Sequence, residues 1–238
     1  MTHLYAIVPA AGGGTRAGLD APKQYHAIAG KTVLAHTLDR LYDALALDRV
    51  FVAIASDDDR YVAAIGSRPG VEPLPCGGAT RAATVANALR ILESRCGEND
   101  WILVHDAARP CVPADALRRL VSAVEDDAVG GLLAVPVADT LKRGDGDGDG
   151  EPRIVRTEAR DGLWQVQTPQ MFRYGLLARA YAAHEAAGAT DDALVVERLA
   201  ARGVCATPRL VMGSRANIKI TWPEDFALAE AILAAQWR

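Results

Sequence analysis

Short apolar runs alternate along this chain with stretches whose apolar residues recur every three or four positions. Residues 4–8 (LYAIV), 50–55 (VFVAIA), 101–105 (WILVH) and 131–137 (GLLAVPV) are continuous and rich in Val, Ile and Leu. That pattern predicts strands buried on both faces. Leu34, Leu38, Leu41 and Leu45 share one helical face, as do Leu117, Leu120, Val121 and Val124. Residues 221–236 (TWPEDFALAEAILAAQ) predict a terminal helix entered through Thr221 and Pro223. Strands alternating with helices predict an α/β fold with a mainly parallel sheet. Such a sheet binds ligands in the loops beyond the carboxyl ends of its strands.

One segment breaks the alternation. Residues 136–165 hold few helix signals and carry GDGDGDG (144–150) in their middle. The flanking VADTLKR and PRIVRTEAR predict two strands of a protruding β-hairpin arm with the Gly-Asp tract at its tip. DxDxDG also begins a calcium loop, but the twelfth position is Arg156 where a bidentate Glu is needed, so a solvated turn is expected.

Composition narrows the function. With 238 residues, half of them hydrophobic and 24% charged, the whole chain (1–238) reads as one packed globular domain carrying that arm. No apolar run approaches the ~20 residues that cross a bilayer, and no basic start precedes an apolar run, so neither a membrane partner nor a signal peptide is expected. Cys76, Cys96, Cys111 and Cys205 form no CxxC pair, as expected of idle thiols in the reducing cytoplasm. A net charge of -4 argues against nucleic acid held on a broadly basic surface, while leaving room for a small anion held by a few local cations.

Those cations stand in IVPAAGGGTRAGLDAPKQY (7–25). A dinucleotide fingerprint beginning Gly12-x-Gly14 has a third glycine, sometimes alanine, where Ala17 stands, but a helix should start directly; Pro22 instead biases Ala21 toward extended backbone. A P-loop ending Gly30-Lys31-Thr32 requires a glycine where Tyr25 stands, which leaves Lys31 and Thr32 as a helix start. What remains is a loop of exposed backbone N–H groups carrying Arg16 and Lys23, suited to a polyphosphate. A tight turn with two solvated cations is the alternative. Further on, WILVHDAARPCV (101–112) sets Asp106 and Arg109 after a strand. Asp106 reads either as a turn cap or as a Mg²⁺ ligand facing the phosphate loop. His105 is expected to turn away and to be structural.

Six segments then occur in order: PAAGGGTRAGLDAPKQY, GGATRAAT (77–84), VHDAARP (104–110), PVADTLK (136–142), RDGLWQVQTPQ (160–170) and ANIKIT (216–221). Over nearly the whole chain they resemble the 2-C-methyl-D-erythritol 4-phosphate cytidylyltransferase family of non-mevalonate isoprenoid synthesis. The resemblance implies a Rossmann-like nucleotidyltransferase fold and a homodimer with exchanged arms. It also implies a Mg²⁺-dependent reaction of CTP with methylerythritol phosphate, by in-line attack on the α-phosphate, giving the CDP-alcohol and pyrophosphate. Arg16 and Lys23 match the family's transition-state stabilisers, and Ala10, Ala11, Gly12, Gly13 and Gly14 its triphosphate and base contacts. Gly78, Ala79 and Thr84 lie where the family grips cytidine, with Ala79 replacing an acid often found there. Asp106 matches the metal ligand; Asp106, Arg109, Thr140, Arg160 and Lys219 match the substrate-holding positions. By themselves, Thr140 and Arg160 could equally pair across the hairpin, and Lys219 could be an exposed strand cation. The rival activities are a ribitol 5-phosphate cytidylyltransferase, a sugar-1-phosphate nucleotidylyltransferase, an NAD-dependent oxidoreductase and a nucleotide-binding regulator without turnover. The joint retention of Arg16, Lys23 and Asp106 speaks against the regulator, and the broken dinucleotide fingerprint against the oxidoreductase.

Overall fold

The computed structural model describes residues 2–13, 21–146, 151–182 and 187–236. Strand β1 (Leu4–Pro9) leads into the glycine loop, and a 3-10 turn (Lys23–Tyr25) precedes a small ribbon, β2 (Ala27–Ile28) with β3 (Lys31–Thr32). Helix α1 (Val33–Ala44) starts as predicted, the Thr32 hydroxyl accepting the Ala35 N–H as its cap. There follow β4 (Arg49–Ile54), α2 (Tyr61–Ile65), β5 (Val71–Pro75), α3 (Arg81–Ile91), β6 (Trp101–Val104), α4 (Ala114–Val124) and β7 (Gly130–Pro136). The hairpin strands β8 (Leu141–Gly144) and β9 (Ile154–Glu158) come next, then β10 (Trp164–Arg173), α5 (Tyr174–Ala182), α6 (Asp192–Ala201), β11 (Arg209–Met212) and α7 (Glu224–Gln236).

Seven strands form one sheet in the order β11-β7-β10-β6-β1-β4-β5. All neighbours are parallel except β10, which runs antiparallel to both β6 and β7, so the sheet is mainly parallel with one reversed strand. Successive side chains leave a strand on opposite faces, and the core divides accordingly. Val8, Val50, Val52 and Leu103 pack with Leu34, Leu38 and Leu117 from α1 and α4. Their chain neighbours Ile7, Phe51 and Ile102 pack on the other face with Val85, Leu177 and Val196 from α3, α5 and α6.

Helix α7 closes one end. Phe226, Ala229 and Leu233 pack with Ile28, Val33 and Ile220. From the first turn of the helix Asp225 reaches back to accept the Thr221 and Trp222 N–H groups at 2.7 and 2.8 Å, which ties the preceding segment to α7. The Ile220 N–H donates to the Ala108 carbonyl at 2.9 Å, which pins residues 217–221 beside the loop that follows β6.

β8 and β9 pair antiparallel, Leu141 opposite Glu158, in a two-stranded sheet of their own. Nearly every residue of the hairpin is exposed, Ile154 at 68% and Val155 at 57%. The tip, residues 147–150, lies outside the described residues, and with it the calcium-loop question. Among the described residues, no helix is long and apolar enough to cross a membrane.

Candidate active site

The carboxyl ends of β1 and β6 open into a cleft of about 270 Å³. One wall is the glycine loop. Buried Gln24 donates its amide to the Ala10 carbonyl at 2.6 Å and to the Gly12 carbonyl at 3.2 Å. Across a trans peptide the C=O and the next N–H point in opposite directions, so the Ala11 and Gly13 N–H groups point away from Gln24. The opposite wall is the turn into α3. A Cβ on Gly77 would lie 2.5 Å from the Ala11 Cβ, and one on Gly78 would lie 2.6 Å from the Ala83 Cβ. The glycine pair therefore lets this turn approach both the glycine loop and the helix start. The Thr84 hydroxyl accepts the Gly78 N–H and donates to the Thr80 carbonyl, both at 3.0 Å.

The floor is Asp106, just beyond β6. Arg81 Nε donates to its Oδ1 at 2.8 Å, Lys219 Nζ donates to its Oδ2 at 2.7 Å, and Arg109 Nε lies 3.7 Å from Oδ2. Burial disfavours the Asp106 charge, but Arg81, then Lys219 and Arg109, outweigh it and hold the carboxyl far below the usual range. Burial lowers the pKa of Arg109, with Asp106 opposing; its Nη1 donates to the Asn217 carbonyl at 2.6 Å. Lys23 Nζ donates to the Ile220 carbonyl at 2.7 Å, next in the chain to Lys219. The pinning of residues 217–221 thus brings both lysines into one cleft.

His105 is fully buried, its ring between the Thr168 hydroxyl (3.0 Å) and the Arg109 carbonyl (3.2 Å). Burial pushes its pKa down to about 4, so the ring is neutral near pH 7. This is a structural histidine, as the strand alternation suggested.

Of the residues singled out in the sequence, Ala10, Ala11, Gly12, Lys23, Gly78, Ala79, Thr84, Asp106 and Lys219 line the cleft. Gly13 is exposed beside it. Arg109 lines an adjoining recess of about 570 Å³ that shares Lys219. Arg16 and Gly14 lie outside the described residues. Thr140 and Arg160 are exposed at the hairpin base and line neither space. Arg160 Nη1 donates to the Ala138 carbonyl, so it does pair across the hairpin base within its own chain. Its direction is set by the Asp161-Gly162 turn, where Gly162 has φ +75° and the Leu163 N–H donates to the Arg160 carbonyl at 2.9 Å.

Sequence reasoning passed over Arg81, Thr168 and Asp192. Arg81 Nη2 donates to Asp192 Oδ2 at 2.7 Å, and the Asp106 N–H donates to the Thr168 hydroxyl at 3.0 Å. A cation directly after the capping Thr80 at the head of α3 could have flagged Arg81, whereas Asp191-Asp192 reads only as a helix start. Lys23, Arg81, Arg109 and Lys219 outnumber Asp106 and Asp192, which suits a polyanion. Cations set around a cleft in this way can stabilise charge that develops on a bound polyanion. No group of three His, Cys, Asp or Glu that could hold a metal occurs among the described residues.

The chain is similar to known proteins along nearly its whole length. The family model of 2-C-methyl-D-erythritol 4-phosphate cytidylyltransferase (IspD) matches residues 4–235. The enzyme of that name from Dechloromonas aromatica is 48% identical over 240 residues, 99% of this chain and 100% of its own. The one from Bordetella petrii is 51% identical over 230 residues, 95% and 97% of the two chains. A crystal structure of 4-diphosphocytidyl-2C-methyl-D-erythritol synthase superposes with a TM-score of 0.84 at 40% identity, covering 98% of this chain and 100% of that one. The Francisella tularensis 2-C-methyl-D-erythritol 4-phosphate cytidylyltransferase gives 0.79 at 34% identity, with 97% and 100% covered.

Gln24→Ala removes the donor that holds the carbonyls of Ala10 and Gly12. It should lower the free energy of unfolding by about 1–3 kcal/mol, the cost of leaving a buried acceptor unpaired. Urea denaturation checks this, and a loss under about 0.5 kcal/mol would show that the loop keeps its shape without Gln24.

Proposed function

We propose roles for the residues of this cleft on one premise: the chain belongs to the 2-C-methyl-D-erythritol 4-phosphate cytidylyltransferase family, a family of nucleotidyltransferases that join CTP to that phosphate. In the reaction a phosphate oxygen of methylerythritol phosphate attacks the α-phosphorus of CTP. The new P–O bond forms as the bond to the bridging oxygen breaks, and pyrophosphate leaves with the electron pair. Charge builds on the α-phosphoryl oxygens and on the leaving group, and the site has to meet it with cations already in place. The observation that carries this reading is the convergence of Lys23, Lys219 and Asp106 on one cleft lined by the glycine loop.

Lys23 and Arg16 stabilise the transferring phosphoryl group. The backbone of Ala10 to Gly14 takes the triphosphate, and Gly78, Ala79 and Thr84 take the cytidine. Arg109 and Lys219, which share the adjoining recess, hold the phosphate of the second substrate. Asp106 is the only acid that lines the cleft among its described residues. It stays ionised, and each oxygen keeps a lone pair beyond its present cation contact. One such carboxylate plus phosphate oxygens is an ordinary Mg²⁺ donor set, so Asp106 would hold the ion, which would supply further positive charge at the phosphates.

A dimer completes the site. A two-stranded hairpin is marginal alone in water, and this one exposes Ile154, Val155 and Leu141. Docking against a second copy about a two-fold axis would cover them. Thr140 and Arg160, which line neither space in their own chain, would then serve the partner's site.

The reaction is tested by pyrophosphate release with four nucleoside triphosphates crossed against methylerythritol, ribitol and sugar phosphates. Turnover is expected with CTP, methylerythritol phosphate and a divalent metal. Equal turnover of ribitol 5-phosphate overturns the substrate assignment, and activity that survives chelation overturns the metal. Lys23→Ala should lower kcat by about 10²–10³ while changing the KM for CTP little, since its charge acts mainly in the transition state. Normal kcat with a raised KM would make Lys23 a uniform binding contact. The shared site is tested by co-expressing Lys23→Ala with Arg160→Ala. In the mixed dimer one site keeps its own Lys23 and borrows an intact Arg160, so activity returns at one of two sites. A confirmed heterodimer without recovery ends the shared-site reading.

A further inference from the structure

Behind Asp106 lie two buried groups that the transfer does not use directly. Asp192, on the first turn of α6, has no exposed surface. Its Oδ2 accepts Arg81 Nη2 at 2.7 Å and its Oδ1 accepts the Tyr181 hydroxyl, from α5, at 2.6 Å. Arg81 Nε in turn donates to Asp106 Oδ1, and Lys219 takes the other oxygen. The run Tyr181–Asp192–Arg81–Asp106–Lys219 is unbroken from the α5/α6 contact to the cleft.

We infer that Tyr181 and Asp192 are positioning residues for the transfer: they aim the Arg81 guanidinium, and through it the Asp106 carboxylate, into the cleft. The inference rests on reading that cleft as the cytidylyl-transfer site. A guanidinium carries its donors in a rigid planar fork. With Nε on one carboxylate and Nη2 on another, its plane is fixed only if both carboxylates are fixed. Asp192 is held on its far side by Tyr181, and its helix turn is clamped from β10. There Gln170, fully buried, accepts the Ala193 N–H at 2.7 Å and donates to the capping Asp191 at 3.0 Å. Stability alone is a poor reason for such an arrangement, because burying a carboxylate and a guanidinium costs about as much as their attraction returns. What the arrangement does supply is direction. Without it Asp106 Oδ1 loses its only hydrogen-bonded cation among the described residues, which leaves the carboxylate to Lys219 and Arg109 on its other oxygen.

The test compares Tyr181→Phe and Asp192→Asn with the unaltered enzyme. Asp192→Asn should lower kcat by about 10- to 100-fold, the range for losing a hydrogen bond between charged groups, and Tyr181→Phe, one link further from the cleft, by about 2- to 10-fold, with the KM for CTP nearly unchanged. A second readout is the Arg81 Nε–H resonance, assigned by its disappearance in Arg81→Lys. It should exchange slowly with water in the unaltered protein and about tenfold faster in either variant, as a hydrogen-bonded proton freed by roughly 1.4 kcal/mol would. Variants that melt earlier but keep both kcat per folded molecule and slow exchange would make the pair merely structural and overturn the inference. If Asp192→Asn does not fold, Tyr181→Phe, which removes a single oxygen, decides alone. Should Lys23→Ala keep full activity, the reading of the cleft fails, while the Arg81 resonance still decides whether Tyr181 and Asp192 hold the guanidinium.

Discussion

One buried carboxylate organises this site. Arg81, Arg109 and Lys219 come from three separate parts of the chain and would repel one another at close range without the charge of Asp106 between them. Burial favours protonating that carboxyl, and the surrounding cations reverse the preference. The anion therefore persists because the cations are there, and the cations stay gathered because the anion is there. Around this mutual dependence are arranged the head of α3, the loop after β6 and the segment that precedes α7.

The backbone prepares the place. Parallel β1 and β6 end side by side, so the loops that follow them share one edge of the sheet, where a ligand meets backbone groups rather than a packed core. The closeness of the second wall depends on the missing Cβ atoms of Gly77 and Gly78, which would otherwise strike Ala11 and Ala83. On the other side the docking of α7 through Phe226 and Leu233 carries Lys219 and Ile220 to the mouth, and Ile220 presents its carbonyl to Lys23. An apolar contact far from the chemistry thus sets the spacing of two lysines within it.

Much of this was legible in advance. Continuous apolar runs located β1, β4, β6 and β7 to within a residue at their ends, because strands covered on both faces need no polar alternation. Helical periodicity and capping residues located α1, α4 and α7, with Thr32 capping as its position suggested. For the glycine loop the spacing excluded a P-loop, since Tyr25 stands where glycine is needed, and Pro22 spoke against a dinucleotide turn, which left a loop suited to a polyphosphate or a tight turn with solvated cations. Asp106 could be picked out because an acid directly after a buried strand reads either as a turn cap or as a metal ligand, but its pairing with Arg81 and Lys219 could not. The reversed strand β10 was not legible as a strand. Its outer half mixes Gln with apolar residues around Pro169, which reads as a loop until β6 and β7 supply partners on both sides.

The sequence by itself determined the periodic elements, the cation-bearing loop and the family resemblance, because each is written in neighbouring residues whose spacing matches a backbone period or a motif. Only the tertiary structure decided which distant groups meet. Arg81 and Asp192 are 111 positions apart, and Lys23 and the Ile220 carbonyl 197. Nothing local to either member announces such a pair. It forms when packed layers close the intervening chain, and the energy that closes it comes from apolar faces elsewhere in the fold.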